Sequence, residues 1–276
     1  MTCKRIAVIL AGELRTWAMA SKYIFKFYEG RAEQIDYYFV TWNVSTGTGE
    51  AKTVTANDIT ASFDQHGVTL FKYEIVELIG RHRTTFYNHA WLVKMANILK
   101  RETERDEDFV YDQVIDTRPD IYLRKPSRDW QRVEDFFYVA GYPENNIDQN
   151  GFLGIPDYYF RTSSYSNDIM AERYTFKRPT DHYHTVGLSA EGYVNHHWTI
   201  VEFLTKRMMY PDRYNEKFNA HSDYDYFCAI RPNFPEDLDL DSASTYGELE
   251  PLFKSWGQPY KHLFYGPNGD APVVDL

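Results

Sequence analysis

A chain of 276 residues with 43% apolar and 25% charged side chains is long enough to bury a core of its own, as one large domain or two small ones. The formal net charge of −10 argues against a nucleic-acid or anionic-membrane partner. No stretch approaches the ~20 consecutive apolar residues of a membrane span, and the run Ile6–Ala11 is too short for a signal-peptide core, with Glu13 and Arg15 directly behind it.

Arg5–Ala11 (RIAVILA) reads as a buried strand, followed by the turn Gly12-Glu13-Leu14-Arg15 and a helix over Thr16–Glu29. Strand, Gly turn and helix open a βαβ unit. Gly12 permits close backbone approach, and the helix N-terminus offers N–H groups to an anion, although the same glycine also suits a plain turn. A single glycine is neither GxGxxG nor a P-loop. Asp36–Val40 is a second strand, running into Thr41-Trp42-Asn43. Val44–Val54 has the Ser/Thr/Gly character of a loop, Asp58–Asp64 fits a short helix, and Thr69–Val76 a third strand. The strongest helical pattern covers Tyr87–Glu104, where Trp91, Met95, Ile98 and Leu99 recur at a spacing of three to four. Lys94 on this helix has the reach to contact a phosphate.

The stretch around which the chain is organised is Tyr111–Leu123, YDQVIDTRPDIYL. Val110, Tyr111, Val114 and Ile115 make a short apolar run rich in β-formers. Pro119 lacks an N–H and biases Arg118 away from helix, so the strand is expected to end or kink there. Asp116, Arg118 and Asp120 are then two carboxylates and a guanidinium at a strand end, where open α/β sheets bind ligands. Two acids with room for water suit a hard divalent cation carrying phosphates. An acid–arginine pair fixing a turn is the alternative for the same residues.

Further on, Phe136–Ala140 reads as a strand, and a helix is expected from Ser166, as cap, to Phe176. A second good helix, Ala190–Met209, carries Glu191, His196 and His197. From Pro211 the chain is loop-rich and polar, an irregular C-terminal third suited to covering a site. His182 and His184 would share one face of an extended segment, but no Cys, His or carboxylate set stands beside them. Cys3 and Cys228 are far apart and lack metal-type spacing, which fits a reducing, cytoplasmic setting. Strands alternating with helices predict an α/β fold with a mainly parallel sheet flanked by helices.

Four blocks carry a resemblance: Arg5–Trp17 (RIAVILAGELRTW), Tyr38–Asn43 (YFVTWN), Tyr111–Asp120 (YDQVIDTRPD), and Asp157–Ser164 with Met170 (DYYFRTSS…M). In this order, over roughly residues 5–170, they resemble the small GT-A-type glycosyltransferases of phages, large viruses and bacteria. The resemblance implies a single Rossmann-like GT-A domain, with a nucleotide-binding half over 1–123 and an acceptor-side half over 124–276. In a virus the setting would be the host cytoplasm. The donor would be a nucleotide sugar, with a UDP-sugar expected, and the acceptor a glycan or another hydroxyl compound. The nucleotide would lie over Ala11, Gly12 and Arg15, near Trp42 and Asn43. The diphosphate, with Mn2+ or Mg2+, would lie at Arg118-Pro119-Asp120. Such folds usually carry Asp-x-Asp here; in Arg-Pro-Asp only Asp120 matches, as the second acid. His221 is the candidate late metal ligand.

Glycosyl transfer builds negative charge on a departing diphosphate, which a divalent cation, Arg or Lys stabilises without a proton donor. Asp120 would hold the ion, and Arg118, Arg15 and Lys94 are possible phosphate partners. An inverting enzyme also needs a base for the acceptor hydroxyl. Asp157 is the first candidate and Glu191 the second; each also has a structural reading, a turn hydrogen bond for Asp157 and a helix-start charge for Glu191. The other reading of the chain is a non-catalytic carbohydrate- or nucleotide-binding protein on the same fold.

Overall fold

Strand β1 (Cys3–Ala11) sits inside a six-stranded sheet and is buried from Ile6 onward, as its unbroken apolar run requires. The computed structural model describes residues 3–45, 51–78, 85–123, 138–139, 159–171, 227–230 and 239–242. After β1 come helix α1 (Trp17–Tyr28), β2 (Ala32–Trp42), a short pair β3 (Val44–Ser45) and β4 (Lys52–Thr53), α2 (Ala56–His66) and β5 (Leu70–Val76). Then follow α3 (Thr85–Asp106), β6 (Gln113–Thr117), β7 (Ile121–Leu123), β8 (Tyr138–Val139), β9 (Tyr159–Thr162), α4 (Ser164–Ala171) and β10 (Phe227–Ala229), with a 3-10 turn at Leu240–Ser242.

The large sheet has the order β5-β2-β1-β6-β9-β8. β5, β2, β1 and β6 are mutually parallel; β9 runs against both β6 and β8. The protein is thus a mixed α/β structure with a mostly parallel central sheet flanked by helices. The chain steps outward from β1 to β2 to β5, then returns through α3 to β6 on the other side of β1. Right-handed crossovers in opposite directions along a sheet place their helices on opposite faces. The packing agrees. Tyr38, Val40 and Trp42 of β2 and Ala7, Ile9 and Ala11 of β1 share a core with Leu92, Val93 and Ala96 of α3. The alternate residues Tyr37 and Phe39 instead meet Trp17 and Phe25 of α1 and Phe63 of α2, with ring centroids 4.8 to 5.7 Å apart in Trp17–Phe39, Phe25–Tyr37 and Tyr37–Phe63. These rings form an aromatic cluster between the sheet and helices α1 and α2.

Several expectations need correction. On α3, Trp91, Met95, Ile98 and Leu99 flank the core and are only half-buried; its buried face carries Ala90, Leu92, Val93 and Ala96, continuing into Asn97, Lys100 and Thr103. Small side chains let the helix lie close to the sheet, so residue size misled the periodicity. Val110 is 73% exposed and precedes β6. The loop expected over Val44–Val54 is in part paired, Val44 with Thr53 and Ser45 with Lys52. Helix α4 starts two residues early: the Ser163 hydroxyl, not Ser166, receives the Ser166 N–H at 3.2 Å. Pro119 ends β6, and the chain resumes as β7 in a separate two-stranded sheet with β10.

Helix α2 begins at a capping box missed from sequence. The Asp58 N–H donates to the Thr55 hydroxyl, and the Asp58 carboxylate accepts from the Thr55 N–H at 2.9 Å and from the Lys52 ammonium at 2.8 Å. Lys52, and then Thr55, hold the Asp58 carboxyl down at about 2. The folded value lies below the unfolded one, so this stabilisation is present above about pH 4 and is lost as pH falls toward 2. Asp58→Ala is expected to cost about 1 kcal/mol at pH 7. In melts of the wild type and the variant, the gap should narrow as pH is lowered to 2; a constant gap would rule out the carboxylate's charge as its source.

Candidate functional site

The strand order reverses between β1 and β6, and the crevice beyond their carboxyl ends is where open α/β sheets take ligands. A cleft of about 300 Å³ lies there. Gly12, Glu13 and Arg15 line it from the turn after β1, Trp42 and Val44 from the end of β2, and Leu78 from beyond β5. Asn88, His89 and Leu92 come from the start of α3, and Arg118 and Asp120 from the turn after β6.

The two turns are built against each other. A Cβ on Gly12 would come within 2.9 Å of the Pro119 Cδ, and the Gly12 φ of +155° is a setting side-chain-bearing residues rarely adopt. The close approach expected of Gly12 is therefore made by Pro119. The Gly12 N–H donates to the Val40 carbonyl at 3.1 Å, tying the turn to β2. Ile230, just past β10, fastens both turns from outside. Its N–H donates to the Asp120 carbonyl at 2.7 Å, and its carbonyl accepts from the Thr16 hydroxyl at 2.7 Å. Thr16 gives α1 no side-chain cap, and no acidic residue stands in the first turn of α1 or α3. Helix starts of this kind favour an anion.

Two ion pairs stand among the described residues of the cleft. Arg118 donates through Nε to Asp120 Oδ1 at 2.9 Å and through Nη2 to Asp120 Oδ2 at 2.6 Å, a bidentate fork. Arg15 Nε donates to Glu13 Oε2 at 2.9 Å. Trp42, Val44, Leu78 and Leu92 add apolar lining. A concave site with apolar lining and a few placed charges suits a small molecule carrying both a flat apolar part and an anionic part.

Of the residues singled out from sequence, Gly12, Arg15, Trp42, Arg118 and Asp120 come together here. Ala11 does not line the cleft; it is fully buried in the core under α3. Asn43 is a joint: its side-chain oxygen accepts from Leu78 N–H at 3.1 Å, and its backbone joins Val76 and Val54. Lys94 is not in the lining; two positions beyond Leu92, it is turned about 200° around the helix. Asp116, one residue before the end of β6, is buried, in register with Ile9 and Phe160, and does not line the cleft. Asp157, Glu191 and His221 lie outside the described residues, as do His182, His184, His196, His197 and the helix expected over Ala190–Met209.

Sequence reasoning missed Glu13 and His89 as lining residues. Glu13 stood in plain view inside the Gly12–Arg15 turn; His89 had no signal beyond its place one residue after Asn88. No protein-family model matches this chain, and no curated protein matches it. Among the described residues, no helix is long and apolar enough to cross a membrane.

Among the described residues no group of three or more His, Cys, Asp or Glu is placed to hold a metal ion, and a divalent cation in this cleft would have Asp120 and Glu13 as its carboxylates. Ions of the Mg2+ kind keep several waters and take one or two carboxylates together with substrate phosphates. Asp120 and Glu13 are two carboxylates in one cleft that also holds two guanidinium groups for those phosphates.

Proposed function

We propose that the cleft binds a nucleotide sugar, a UDP-sugar in the first instance, and that the protein is a GT-A-type glycosyltransferase moving the sugar to a glycan or other hydroxyl acceptor. The observation that carries this reading is the cleft at the β1/β6 reversal, with Arg15 and Arg118 beside apolar lining from Trp42, Val44, Leu78 and Leu92. The base and ribose would take the apolar lining and the diphosphate the arginines.

In the reaction, the bond between the sugar's anomeric carbon and the diphosphate oxygen breaks as the acceptor oxygen bonds to that carbon. Arg15 and Arg118 meet the charge that gathers on the leaving diphosphate. Mn2+ or Mg2+ held at Asp120, with His221 as a further ligand, would add to that neutralisation. Asp157 is the proposed base for the acceptor proton in an inverting reaction, with Glu191 second.

Thermal melting against a nucleotide panel, with and without Mn2+, tests the reading. UDP or a UDP-sugar with Mn2+ at a hundredfold excess over its dissociation constant should stabilise the protein by about 2.7 kcal/mol. Absence of stabilisation by every nucleotide would refute it. A second reading, a non-catalytic nucleotide- or carbohydrate-binding protein, is favoured by one feature: Arg118 stands where the first acid of Asp-x-Asp would be and clasps Asp120. Metal-dependent donor hydrolysis separates the two, since only a transferase turns its donor over.

A further inference from the structure

The side chain of Asp120 is 3% exposed and that of Arg118 is 24% exposed, and two hydrogen bonds join them. Both groups belong to the cleft lining. Neither can do a second job cheaply while clasped. A phosphate that drew Arg118 away would leave a buried carboxylate without that partner, and a cation that took Asp120 would have to displace a bidentate guanidinium. Breaking a buried ion pair by removing one partner is strongly unfavourable. Supplying both newcomers at once removes the penalty, because each group trades one partner of opposite charge for another.

We propose that Arg118 exchanges partners on ligand binding: it leaves Asp120 for the diphosphate as a divalent cation takes the Asp120 carboxylate. The cation and the diphosphate then bind as a unit, and each alone binds weakly. This inference rests on the nucleotide-sugar reading and adds to it a reason for the arginine in Arg118-Pro119-Asp120. Arg118 both keeps Asp120 closed to stray cations and serves as the phosphate ligand once it is released. A second arginine of the cleft, Arg15, is paired in the same way, with Glu13 at 2.9 Å.

The test titrates Mn2+ into the full chain, reading free ion by its paramagnetic resonance signal, with and without UDP, for wild type, Arg118→Gln and Arg118→Lys. In wild type, UDP should tighten Mn2+ binding about tenfold or more, and Mn2+ should tighten UDP binding by the same factor. Without nucleotide, Arg118→Gln should bind Mn2+ about tenfold more tightly than wild type, since Asp120 is no longer clasped, and should bind UDP more weakly. Arg118→Lys, which keeps the charge but not the fork, should fall between them and decides the matter should the glutamine variant not fold. If UDP binds wild type with Mn2+ but both variants bind Mn2+ alone no more tightly than wild type, the exchange is wrong and the nucleotide reading stands. If no nucleoside diphosphate binds wild type under any metal condition, the nucleotide reading fails and the exchange falls with it.

Discussion

Replacing Lys100 with alanine is expected to cost roughly 3–5 kcal/mol of folding stability, the scale for breaking a buried charge network by removing one partner. Lys100 is fully buried in the middle of α3, where its ammonium donates to Asp168 Oδ1 at 2.9 Å, approaches Glu104 Oε2 at 3.0 Å and hydrogen-bonds the Ser164 hydroxyl. Glu104 Oε1 in turn accepts from the Ser164 hydroxyl at 2.6 Å and from the Tyr111 N–H at 3.0 Å. The lysine therefore ties α4 to α3 and, through Glu104, to the segment leading into β6. Removing it takes away the ammonium that pairs with both the Glu104 carboxylate, 11% exposed, and the Asp168 carboxylate, 30% exposed. Chemical denaturation of Lys100→Ala should show a lower midpoint with an unchanged slope. Lys100→Met with Glu104→Gln and Asp168→Asn, which removes the charges together, should recover much of the loss. A loss below about 1 kcal/mol for Lys100→Ala would place the network in the range of an exposed ion pair.

Asp120→Ala should lower metal-dependent donor turnover by at least about a hundredfold, the scale of losing one preorganised electrostatic group at a reacting centre. It should also remove the extra stabilisation that Mn2+ gives in the presence of UDP. Folding should survive, because the Asp120 carbonyl keeps its hydrogen bond from the Ile230 N–H at 2.7 Å and β7 keeps its register with β10. Donor hydrolysis and nucleotide-dependent melting, measured on the same preparation, distinguish the outcomes. Turnover lost with the fold intact fits a transferase. Nucleotide binding unchanged from wild type, with no turnover in either protein, would favour the binding-protein reading.

The regular half of the fold was legible because its local signals agreed with its tertiary setting. Ile6–Ala11 is uniformly apolar and lies in a strand covered on both faces. The Gly12 turn, the helix after it and the strands near Asp36 and Thr69 were found within a few residues. Reading failed where size and burial parted company. On α3 the large Trp91, Met95 and Leu99 are only half-buried, while Ala90, Leu92, Val93 and Ala96 are fully buried, and so is a lysine that a helical pattern assigns to solvent. Asn43 and Lys94 have ligand chemistry but do not line the cleft: the Asn43 side-chain oxygen accepts from the Leu78 N–H, and Lys94 lies two positions past Leu92 on α3.

By itself the sequence determined the alternation of strands and helices, the break at Pro119, and the residue types gathered at Gly12–Arg15 and Arg118–Asp120. These follow from chain-local physics: periodic apolar burial, the missing N–H of proline and the backbone freedom of glycine. Only the tertiary structure decided that the two turns meet, with Pro119 seated on Gly12 and Ile230 fastening both. It also decided that Arg118 clasps Asp120 and that a lysine can be buried in α3. Those outcomes depend on the strand order reversing between β1 and β6 and on partners far away in the chain. No local propensity encodes them, because the free energy of a charge is set by what surrounds it after folding.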